Sequence, residues 1–134
     1  MFVFVMSKKG LPRPTDSELS ILSVLWLRGP STVRAVHEEL NRSQETGYTT
    51  VLKLMQIMIE KGLLKRDDSE RSHVYEAAVA REQTQRQLLG DLRERAFSGS
   101  AQQLVMQALA SKKASPGELI EIRKLIDQME GRTT

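Results

Sequence analysis

The sequence predicts a mainly α-helical chain carrying one small β element of two to three strands, placed between two runs of helix. Three observations carry this. Apolar residues recur at helical spacing in three short blocks between about Asp16 and Lys61. The pattern then changes to that of two short strands around a turn-like Asp67-Asp68-Ser69-Glu70. Helical spacing resumes near Ala80 and continues almost to the end.

Leu11-Pro-Arg-Pro14 is a stiff, non-helical lead-in, followed by Thr15-Asp-Ser-Glu18 at capping-box spacing. Leu19, Leu22, Val24, Leu25 and Trp26 then form a broad apolar surface that ends at Gly29-Pro30, giving a first helix from about Asp16 to Leu27. Thr32 caps a second, with Val33, Val36 and Leu40 on one face. After the polar stretch from Arg42 to Gly47, a third helix runs from Tyr48 or Thr49 to Lys61 and stops at Gly62. Leu63-Leu64-Lys65-Arg66 and Ser72-His-Val-Tyr-Glu-Ala77 form a hairpin. Three short helices followed by a hairpin is the order of a winged helix-turn-helix domain, here residues 14–79, behind a lead of residues 1–13.

Residues 80–131 read as a helical region. One helix covers about Ala80 to Phe97 and is broken by Ser98-Gly99. Ser100-Ala-Gln-Gln103 restarts the helix, and Ser115-Pro-Gly-Glu118 starts another with Ser at the N-cap, Pro at N1 and Glu at N3. These helices hold too little apolar area for a core of their own. Leu88, Leu92, Leu104, Leu119, Ile122 and Ile126 are therefore expected to meet a second copy of the chain; folding back onto the winged helix is the alternative.

The third helix carries the functional signal. At about 100° per residue, Thr49, Lys53, Gln56 and Glu60 fall within a strip roughly 60° wide. Tyr48, Val51, Leu54, Met55 and Met58 lie opposite, and Leu52 and Ile57 flank the strip. A helix this apolar must be mostly buried, with one polar line facing outward. A DNA major groove accepts such a line, and Thr49 and Thr50 sit at the end where a helix-turn-helix meets bases and phosphates. A buried helix with one solvated edge fits the periodicity equally well, and Glu60 favours it. At the hairpin, Lys65, Arg66, Arg71 and His73 suit phosphates, although Asp67, Asp68 and Glu70 dilute their charge.

Composition excludes more than it proves. The chain has 134 residues and no cysteine, which removes disulfides, thiolate metal sites and a cysteine nucleophile. Its 20 basic residues against 17 acidic ones leave a net charge of +3, weak support for a nucleic-acid partner. Trp26 reads as core. His37 and His73 lack ligand-spaced partners, Glu38-Glu39 and Asp67-Asp68 read as solvated edges, and no catalytic constellation, metal site or cofactor motif is present. The apolar run Met1–Met6 is too short for a signal peptide or membrane span, and either Met1 or Met6 serves as the natural start. A cytoplasmic protein is expected.

Five stretches together resemble the BlaI/MecI/CopY (penicillinase repressor) family of transcriptional regulators. They are Thr15-Asp-Ser-Glu-Leu19 with Val24-Leu-Trp26, Gly29-Pro-Ser-Thr-Val-Arg34, Tyr48-Thr-Thr-Val51, Glu60-Lys-Gly-Leu-Leu64 and Arg71-Ser-His-Val-Tyr75. The resemblance covers about Pro14 to Met129 and implies a homodimeric repressor on a pseudo-palindromic operator, with interlocking C-terminal helices. It places operator recognition on Thr49, Thr50, Lys53 and Gln56, with Tyr48 beside them. Lys53 stands where the family commonly has Thr, and Ile57 where a basic residue is common. The resemblance also brings in a separately encoded membrane-bound sensor-protease as partner, whose members' cleavage site near an Asn-Phe pair corresponds here to Gln107-Ala108 in Leu104-Val-Met-Gln-Ala108, without that pair. The paired cysteines of copper-responsive members are absent. The competing class is a winged-helix adaptor that binds protein and no specific DNA.

Overall fold

The computed structural model describes residues 11–131, so the Met1–Met6 run lies outside the described residues. The elements follow in order as α1 (Asp16–Arg28), α2 (Val33–Leu40), α3 (Tyr48–Lys61), β1 (Leu64–Asp67), β2 (Val74–Ala77), α4 (Arg81–Ala96), α5 (Ala101–Ser111) and α6 (Pro116–Met129). The chain divides into two compact units, one ending at Leu89 and the next beginning at Gly90, so the division falls inside α4.

Local chemistry sets these boundaries. Thr15 and Glu18 form the full reciprocal capping box at the start of α1. Thr32 Oγ1 accepts from Ala35 N at 3.1 Å to start α2. Gly62 ends α3 at φ 84°, ψ 13°, a left-handed conformation that only glycine adopts cheaply. Ser115 and Glu118 repeat the capping box before α6, with Pro116 in the first turn.

In the first unit, α1, α2 and α3 pack around Ile21, Leu22, Val36, Val51, Met55 and Met58, all fully buried. β1 and β2 pair antiparallel, with Leu64 opposite Ala77 and Arg66 opposite Tyr75. Ser31 adds a one-residue third strand by exchanging two backbone hydrogen bonds with Tyr75, at 2.9 and 2.8 Å. The element is therefore two-stranded with an isolated bridge, and it fastens the α1–α2 turn to the hairpin. Trp26 packs half-buried against the core and donates its indole N–H to the Val79 carbonyl at 3.0 Å. Three helices and a hairpin in this order make a winged helix.

The second unit holds the rest of α4, then α5 and α6. Ser98 (φ 49°) and Gly99 (φ 84°) make the break after α4. Among the described residues from Gly90 onward none is buried. Leu92, Val105, Met106, Leu119, Ile120, Leu125, Ile126 and Met129 are all exposed, while Leu104 and Ile122 are half-buried. Leu88, in the first unit, is half-buried beside Leu19 and Trp26 at a hollow of about 300 Å³.

Candidate nucleic-acid interface

The turn between α2 and α3 is clamped from both sides. Asn41 Nδ2 donates to the carbonyls of His37 (2.8 Å) and Thr46 (3.0 Å), and its Oδ1 accepts from Thr46 N (2.9 Å). His37 Nε2 lies 2.9 Å from the same Thr46 carbonyl, a contact that keeps a proton on that nitrogen. Its ring meets Tyr48 edge to face, with centroids 5.6 Å apart. The angle at which α3 leaves α2 is thus set by side chains as well as by packing.

On α3, Val51, Met55 and Met58 face the core while Thr49, Thr50, Lys53, Gln56 and Glu60 are exposed. Two expectations need correction. The outward surface is wider than a single line, because Thr50 belongs to it and Ile57 is 37% exposed. Tyr48 does not join the buried side. It is 43% exposed because it is the first residue of α3, a turn before Val51 begins the packing.

Beside this surface lies a cleft of about 390 Å³ between the start of α2, the start of α3 and the hairpin. Arg34, Arg71 and His73 converge on it with Thr32, Ser72 and Tyr48, and no acidic residue lines it. Neither α2 nor α3 carries an acid in its first turn, so their amide ends add positive potential. The arrangement suits a phosphate.

The opposite edge of the hairpin differs. Arg66 Nε lies 2.7 Å from Asp68 Oδ1, and Nη2 donates to Oδ2 at 3.2 Å, a two-pronged pair. His73 Nε2 is 3.8 Å from the same Oδ1. Tyr75 and then Asp68 push the Arg66 guanidinium above its ordinary range. Hydrogen bonds from Ser69 hold the Asp67 carboxyl below the usual carboxylate range. Lys65 and Arg71 are exposed with no such partner among the described residues. The edge expected to be basic is therefore partly neutralised from within.

The sequence model of the penicillinase repressor family matches residues 14–128. The chain belongs to the penicillinase repressor family. The transcriptional regulator BlaI of Mycobacterium tuberculosis is similar, 30% identical over 90% of this chain and 87% of its own. The penicillinase repressor of Bacillus licheniformis is 21% identical over 92% of this chain and 97% of its own. A solution structure of the DNA-binding domain of the repressor BlaI is 24% identical, covers 54% of this chain and 88% of its own, and superposes with a TM-score of 0.48.

As a penicillinase repressor family member, the protein is a DNA-binding transcriptional repressor and not an enzyme. DNA is its partner, and the adaptor reading is not favoured. Among the described residues no group of His, Asp or Glu could hold a metal ion, and no helix is long and apolar enough to cross a membrane.

Sequence reasoning missed Arg34 and Asn41. Arg34 sits in a short helix read only for its apolar face, and its value comes from its distance to a hairpin some forty residues on. Asn41 is the C-cap of α2, and Asn followed by a polar stretch is a common sign of side-chain capping of a turn.

Proposed function

We propose that the protein represses transcription as a homodimer on a pseudo-palindromic operator. Each α3 lays Thr49, Thr50, Lys53 and Gln56 into the major groove of one half-site. Arg34 and Arg71 hold an adjacent backbone phosphate, and Lys65, Arg66 and His73 lie along the duplex. The observation that carries this reading is the exposed polar surface of α3, opposite its buried Val51, Met55 and Met58, beside a cleft lined by Arg34 and Arg71 and by no acidic residue.

Pairing is supported by the second unit. α5 and α6 bury no residue alone, yet they present Leu104, Leu119, Ile122 and Ile126 at helical spacing. Such a face gains most by meeting a copy of itself. Two linked half-sites also multiply a modest single-domain affinity. The protein would act in the cytoplasm, with a separately encoded membrane-bound sensor-protease as its switch. Gln107 and Ala108 both lie inside α5, so cleavage between them requires that helix to open first.

The test is a gel-shift competition between an operator recovered by genome-wide mapping and mixed-sequence DNA. Thr50→Ala with Lys53→Ala should abolish the preference for the operator while sedimentation still reports a dimer. A double variant that keeps its preference contradicts the assignment of α3 as the reader.

A further inference from the structure

From the hairpin geometry we infer that Asp68 is an internal competitor for the DNA phosphate at Arg66 and His73, and that it sets how strongly the protein binds DNA of any sequence. The inference rests on the DNA-binding reading above and deepens it.

Arg66 lies on β1 and His73 just before β2, and Asp68 occupies the turn between them. Its two oxygens meet Nε and Nη2 of Arg66 side-on, the same fork by which a guanidinium takes two phosphate oxygens. One of those oxygens also faces His73 Nε2. A carboxylate thus stands where a backbone phosphate would stand against the same two side chains. The other two acids of the hairpin do something else. Asp67 accepts from Ser69 N at 2.9 Å and shapes the turn, and Glu70 has no partner among the described residues.

Both partners of the pair are solvent-exposed, with side-chain exposures of 36% and 52%, so the pair is weak enough to exchange. While it holds, Arg66 brings no net charge to the duplex, and Asp68 repels the phosphate that approaches. A contact with phosphate reads no sequence, so Asp68 lowers binding to operator and to bulk DNA alike. For a repressor that must leave non-specific sites, a damped hairpin shortens its stay on the wrong DNA.

The test measures binding of the full chain to a labelled mixed-sequence duplex of about thirty base pairs, between about 50 and 200 mM salt. Asp68→Asn keeps the size and turn preference of the side chain, and an unchanged unfolding midpoint confirms the fold. It should tighten binding by about three- to tenfold at low salt and steepen the log–log salt slope by about 0.9, one additional phosphate contact. Both gains should vanish in an Arg66→Gln background. Glu70→Gln, which removes the same formal charge from the same hairpin, should give a smaller gain that survives Arg66→Gln. Equal gains for the two variants, or a gain for Asp68→Asn that persists without Arg66, would reduce the effect to net charge and overturn the inference alone. A wild-type chain that does not bind the duplex overturns the inference and the DNA-binding reading together.

Discussion

Lys61, the last residue of α3, places its ammonium nitrogen 2.6 Å from Oε1 of Glu18, in the first turn of α1. Glu18 is 3% exposed and the same Oε1 accepts from Thr15 N at 2.9 Å. One carboxyl group therefore caps α1 and anchors the far end of α3. A buried carboxylate that loses its cation is left uncompensated, although Lys61 itself is a third exposed and screened by water. Lys61→Met is expected to lower stability by about 2 kcal/mol in urea unfolding. Adding Glu18→Gln, which preserves the cap, should recover part of that loss.

The same pair gives a pH signature. Burial pushes the Glu18 carboxyl up, but the bonds from Lys61 and Thr15 outweigh it and hold the group below its ordinary 4.5. A carboxyl depressed in the folded state stabilises fully above its unfolded value, and that contribution disappears as pH falls through the folded one. The urea midpoint of the wild type should thus fall more steeply than that of Glu18→Gln between about pH 5 and pH 3. Parallel curves would show that Glu18 does not report the linkage.

Asn41 holds the α2–α3 turn through three hydrogen bonds while remaining exposed. Asn41→Ala should cost no more than about 1 kcal/mol of stability, the ordinary cost of a lost cap. Its effect on operator binding should be larger, because under the proposed reading a reorientation of α3 misplaces every base contact at once. Comparing the unfolding midpoint with the operator dissociation constant separates the two effects.

Ile126→Glu places a charge on the apolar face of α6, where Ile126 is 48% exposed in the single chain. It should convert a dimer to monomers in sedimentation at micromolar concentration and weaken operator binding by about a hundredfold, through lost effective concentration. The thermal unfolding of the winged-helix unit should change little, since no core residue of that unit is touched.

What the sequence disclosed was local. Thr15 with Glu18, Ser115 with Glu118, and Gly62 mark helix ends through contacts spanning a few residues, so spacing alone reveals them. What it hid was long-range. Glu18 was legible as a cap, but its ion pair joins residues 43 apart in sequence. The Ser31–Tyr75 bridge and the Trp26–Val79 bond are of the same kind. Tyr48 misled because angular position on a helical wheel ignores where packing begins along the axis. Arg66 and Asp68 were both visible as charges two apart, yet only side-chain geometry turns them into a pair.

The most direct measurement uses the absence of cysteine. Gln56→Cys, on the exposed face of α3 and carrying an iron chelate, makes the protein a cutter that reports which groove that face enters. The expected result is major-groove cutting in two clusters about 10 base pairs, or a whole multiple of that, apart. Cuts confined to the minor groove, or scattered evenly along an operator the protein still protects, would contradict α3 as the reading helix of a dimer.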